Sequence, residues 1–149
     1  MRDLYNNLAS DLRNVKGPVR AGASGSVVAD LRGYDSAVAF IKLEGTGATF
    51  AAANLIRFSL LHGDTSTTAT GAVGTADVSG VTPVAGVVKT LNTSTAAAAG
   101  TTKIHYDGGK RYLRLRWVAS GSASGATGFT GTRANVGILK GNPEKAPIA

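Results

Sequence analysis

The chain has 149 residues, enough for one domain with a core of useful size but not for a second domain beside it. It contains no cysteine, which excludes disulfides, thiolate metal sites and a cysteine nucleophile. Sixteen Lys and Arg against nine Asp and Glu give a formal charge of +7, which favours an acidic partner: a polyanion, an anionic membrane or a negatively charged protein surface.

The first predicted element is a helix over Arg2 to Lys16. Leu4, Leu8 and Leu12 recur there every four residues, Val15 follows on nearly the same side, and Asp3 is placed to cap the start. A lone helix of this length needs a surface for its apolar stripe, either its own domain or a neighbouring subunit on which it lies as an arm. Gly17 and Pro18 end it, and Gly22 to Ser26 read as a flexible link. The leader lacks the continuous apolar stretch of a secretory signal. No window approaches the roughly 20 consecutive apolar residues of a membrane-spanning helix, so a soluble protein made in the cytoplasm is expected.

Seven strands are predicted next: Val27 to Leu31, Ala37 to Glu44, Leu55 to His62, Val84 to Leu91, Thr101 to Tyr106, Lys110 to Ala119 and Ala134 to Leu139. A weaker eighth lies near Thr75 to Val78. Short strands without helical periods between them imply an all-β chain, an antiparallel β-sandwich or jelly-roll-like barrel of seven to eight strands with an N-terminal arm. The expected organisation is an arm and linker over 1–26, the sandwich over 27–140 and an extended tail over 141–149. Ala37 to Leu43 is apolar on both faces and belongs at the centre of a sheet. Leu55 to Leu61 puts Ile56, Phe58 and Leu60 on one side and Arg57 and Ser59 on a wet one. Ala51 to Asn54 reads as a short helical turn. Asp64 to Gly80 and Ser120 to Gly131, dominated by Gly, Ala, Ser and Thr, read as loops.

The segment Tyr106 to Val118 carries the clearest local signal. Asp107-Gly108-Gly109 supplies residues that tolerate positive φ, which predicts a hairpin, and the alternation sets Leu113, Leu115 and Trp117 against Arg114, Arg116 and Val118. With Lys110 and Arg111, the two alternate arginines form a positive stripe. Its readings are a solvated face paired to Asp or Glu, a contact with an acidic protein surface, or a nucleic-acid site. The last is disfavoured because Trp117 falls on the opposite face and only Tyr112 shares the arginine side.

No catalytic, cofactor or metal constellation emerges. His62 and His105 are isolated at strand ends, without a neighbouring ligand pair. Asp64 lies near His62 and serines abound, yet no nucleophile-elbow pattern supports a triad. Gly22 to Gly25 and Gly71 to Gly74 lack the strand-to-helix setting and the Lys-Ser/Thr ending of a phosphate loop, and read as linkers. Asp30, Asp35, Glu44, Asp64, Asp77 and Asp107 sit mostly at strand ends, as turn formers do.

Two blocks, Val28-Ala29-Asp30-Leu31-Arg32-Gly33-Tyr34-Asp35-Ser36-Ala37 and Gly108-Gly109-Lys110-Arg111-Tyr112-Leu113-Arg114, resemble small β-sandwich proteins encoded among the head genes of tailed bacteriophages. Those are usually assigned as head decoration (cement) or related virion accessory proteins. The chain departs from that pattern in its middle segment, which is neutral and rich in Thr, Ala and Gly where such proteins are commonly acidic. The resemblance implies a non-enzymatic protein on the outer surface of the head. It would be made in the host cytoplasm, have the major capsid protein and copies of itself, as a homotrimer, for partners, and need no cofactor or membrane. On that reading Leu4, Tyr5, Leu8 and Leu12 insert into an apolar groove of the shell or of an adjacent copy. Arg2, Arg13, Lys16 and Arg20 meet acidic capsid side chains, and Lys110, Arg114 and Arg116 offer a further acidic-partner contact. The alternatives are a neck, tail or fibre-base component, a single-strand nucleic-acid-binding β domain, and a carbohydrate-binding sandwich with Trp117 or Tyr112 exposed.

Overall fold

The inward rows of the strands are almost wholly apolar, and burying them builds two antiparallel sheets packed face to face. The computed structural model describes residues 9–15, 24–44, 55–67, 69–92, 100–120 and 133–143. Among them run β1 (Ala9–Val15), β2 (Ser24–Asp30), β3 (Tyr34–Glu44), β4 (Leu55–Gly63), β5 (Gly71–Ala72), β6 (Val78–Ser79), β7 (Val87–Leu91), β8 (Gly100–Tyr106), β9 (Tyr112–Ser120) and β10 (Arg133–Pro143). The first sheet has the order β1-β10-β3-β8-β6. The second runs β2-β9-β4, with β5 and β7 both on the far edge of β4. The all-β sandwich expectation is met.

The core lies between Ala37, Ala39, Ile41, Val136, Ile138 and Ile104 of the first sheet and Val27, Ala29, Leu113, Leu115, Phe58 and Leu60 of the second, all buried. β3 occupies the middle of its sheet, as its two apolar faces required, and β4 buries Ile56, Phe58 and Leu60 while Arg57 stays exposed.

The chain changes sheet at every connection between consecutive strands except β4 to β5. This overturns the hairpin expected at Asp107 to Gly109. β8 pairs with β3 and β6, β9 pairs with β2 and β4, and the glycine step carries the chain across from one sheet to the other. Each glycine has its own reason for being there. The Tyr106 ring folds back so that a Cβ on Gly108 would lie 2.6 Å from it, and Gly109 holds φ at +57°.

The N-terminal helix is also corrected. Residues Ala9–Val15 form an edge strand that pairs in register with β10, from Ala9 opposite Lys140 to Val15 opposite Ala134. A four-residue leucine spacing is a multiple of the strand's two-residue period, so it suits either element, and β10 needs a partner on its open edge. The sandwich therefore begins before residue 27 and runs past 140, because β1, the start of β2 and the end of β10 lie in its sheets. Gly25, read as part of a linker, sits inside β2, and the stretch from Asp64 to Gly80, read as a loop apart from a weak strand near Thr75 to Val78, contains β5 and, overlapping that strand at Val78, β6. The proposed turn at 51–54 and the loop at 121–131 lie outside the described residues.

Candidate functional site

The two blocks that carry the family resemblance meet at one end of the sandwich. The first makes the tight turn from β2 into β3. The Asp30 carboxylate accepts the Arg32 amide at 3.0 Å, the Tyr34 amide donates to the Leu31 carbonyl at 2.8 Å, and Gly33 takes φ +82°. The second block crosses from β8 to β9 directly over it, and the Leu31 amide donates to the Arg111 carbonyl at 2.7 Å. The Arg111 guanidinium then grips Asp30 as a fork, Nε to Oδ1 at 3.1 Å and Nη2 to Oδ2 at 2.8 Å, with its carbon 4.9 Å from the centre of the Tyr112 ring. The hydrogen-bonded guanidinium holds the Asp30 carboxyl down at about 2 against a smaller opposing effect of burial, and Arg111 is pushed up in turn.

Behind this fork Tyr106 is buried, and its hydroxyl lies 3.0 Å from His62 Nδ1 while accepting the Lys110 amide at 3.2 Å. Burial raises the Tyr106 phenol above its ordinary value. Lys110 Nζ reaches Asp64 at 2.9 Å. Between the two blocks lies an open cleft of about 400 Å³, bordered by Arg32, Tyr34, Asp35, Asp64 and Lys110. The histidines thus hold structural places: His62 against Tyr106, and His105 Nε2 at 3.0 Å from Asp107. Among the described residues no group of three or more His, Asp or Glu side chains is arranged to hold a metal ion.

The expected basic stripe divides on inspection. Lys110 is engaged by Asp64, and Arg114 donates from Nη2 to the Ser66 carbonyl at 2.6 Å, tying the segment after β4 to the sheet. Arg116 is exposed on the outer face of the second sheet, and Trp117 packs inward, half-buried against the core, as the alternation required. Arg57, which the sequence placed on a wet face without assigning it a role, stands beside Arg116. Arg57 pairs with Val118 and Ser59 with Arg116. Strand alternation marked both as outward, but the pairing of β4 with β9 that brings them together is not encoded in either strand alone.

Of the residues proposed to contact a shell, Leu12 and Arg13 belong to β1, opposite Gly137 and Val136 of the chain's own β10. This overturns an arm reaching as far as residue 15. Arg2, Leu4, Tyr5, Leu8, Lys16 and Arg20 lie outside the described residues. The chain matches no protein-family model and no curated protein sequence.

Proposed function

We propose that this chain is a structural virion protein that binds the outside of a tailed-phage capsid and stabilises it by clamping neighbouring subunits. The observation that supports this reading best is the convergence of the two resembling blocks. They are separated by some seventy residues of sequence, yet they form one built feature, pinned by the Asp30 to Arg111 fork and the Leu31 to Arg111 backbone bond. A pattern spread over a chain can arise by coincidence in two places; a pattern that folds into a single end cap is a unit.

The described chemistry is consistent with adhesion. The buried phenol and His62 brace each other, and Lys110 and Arg111 are spent on carboxylates. Contacts of this kind become strong by repetition, since several copies around a symmetry axis engage one shell together. Arg2, Leu4, Tyr5 and Leu8, which precede β1, remain the proposed reach toward the shell or a neighbouring copy. A homotrimer is the proposed assembly, and the major capsid protein the proposed partner.

Cosedimentation tests the reading. The purified chain should pellet with assembled capsids that lack it and saturate at a fixed ratio to capsid subunits. Failure to bind such capsids, with binding to isolated necks or tails instead, would replace decoration with a neck or tail role.

A further inference from the structure

We propose that the outer face of the second sheet, centred on Arg57 and Arg116, is a docking surface for an extended acidic protein segment that carries carboxylates at alternate positions. The proposal goes beyond the reading above and does not depend on whether the partner belongs to a capsid.

The register defines the face. One row runs Ser26, Arg116, Ser59 across β2, β9 and β4, and the next runs Ser24, Val118, Arg57. Arg57 and Arg116 are therefore diagonal neighbours on one face, about 7–8 Å apart at the backbone. An extended strand repeats its side chains on one face every two residues, at about 6.5–7 Å. Two carboxylates spaced i and i+2 on such a strand match the two guanidinium groups, and the flanking serine hydroxyls can donate to their remaining oxygens.

Among the described residues nothing opposes the charge. Both arginines are exposed and neither has a hydrogen-bond or ion-pair partner among the described residues. The acids at the near end of the sheet, Asp30 and Asp64, are already held by Arg111 and Lys110. The internal segments 45–54, 93–99 and 121–132 contain no Asp, Glu, Lys or Arg at all. Beside Arg116, a shallow cleft of about 310 Å³ bordered by Ser24, Ser26, Thr70 and Arg114 gives a partner side chain somewhere to enter.

The face suits a carboxylate-bearing protein better than nucleic acid. Single-strand binding relies on exposed aromatic platforms, but Trp117 points into the core and the Tyr112 ring lies beneath the Arg111 guanidinium.

An isotope-labelled full chain, titrated with an alternating Glu-Ser peptide and separately with oligothymidylate of equal charge, tests this by amide shift mapping. The expected result is peptide-induced shifts along the Ser26, Arg116, Ser59 and Arg57 rows. Affinity should fall about tenfold or more in the Arg57→Ser/Arg116→Ser double variant and barely change in Lys110→Ser. Shifts confined to other surfaces, absence of peptide binding, or tighter binding of oligothymidylate on the same rows would overturn the proposal. So would concentration-dependent self-association that uses the same rows without peptide. Capsid cosedimentation separates the two readings. A chain that pellets with capsids but binds no peptide on the face sinks the docking face and leaves decoration standing. Peptide binding on the face by a chain that never pellets with capsids sinks decoration and leaves the face standing.

Discussion

Individual side chains at the converging end act as clamps whose strength depends on pH. Asp30 holds its proton less tightly in the folded chain, near 2, than the ordinary 3.8. The Asp30 to Arg111 fork therefore contributes stability in full above that ordinary value, and the contribution is lost as pH falls from about 3.8 through about 2. Asp30→Asn should lower the thermal midpoint slightly at neutral pH, because both partners are partly exposed, and should make no difference in scans below the folded value. Tyr106→Phe removes a buried hydroxyl bonded to His62 and to the Lys110 amide. Urea unfolding should show a loss of about 1 kcal/mol for each bond. Gly25 lies under the Trp117 ring, and a Cβ there would collide with the ring carbons. Gly25→Ala should cost about 1–3 kcal/mol and alter the emission of the only tryptophan, read by fluorescence during denaturation. None of these three roles is visible in the sequence. A glycine between serines reads as a linker, and only the register that sets Gly25 opposite Trp117 makes it a packing position.

At the scale of elements, strand positions and faces were legible because alternation reports burial directly. The inward rows of β3, β4 and β9 follow the apolar pattern of their sequences. What alternation cannot report is which strand a given strand pairs with. The Asp107-Gly108-Gly109 step looks the same whether the chain folds back in one sheet or crosses to the other, and here it crosses. β1 was hidden for a related reason, since leucines four apart satisfy both helical and strand periods. Its place at the edge leads to a different outcome for truncation than a free arm would. Deleting residues 1–8 should leave the thermal midpoint nearly unchanged, because the deletion spares the pairing of Ala9–Val15 with β10. Deleting residues 1–15 should lower that midpoint and, by exposing the edge of β10, promote aggregation seen on size-exclusion chromatography. Equal stability of the two truncations would contradict the pairing.

As a whole molecule the chain is a two-layer body with one end cap stitched by ion pairs and one sheet face presenting arginines that have no partner among the described residues. Of the basic stripe expected from the sequence, Lys110 and Arg114 serve internal contacts, and Arg116 lies diagonal to Arg57 across the β4 and β9 pairing. The reason is again pairing: a positive stripe along one strand says how many cations face outward, while partners supplied by other strands decide which remain available. The assembly proposed here places many copies on a repeating shell, where modest contacts are multiplied by symmetry. Electron cryomicroscopy of particles produced with this chain present tests that most directly. The proposal expects hundreds of copies on the outer surface of the head, bridging adjacent capsid subunits. A single ring at the neck, density along the tail, or absence from the particle would contradict it.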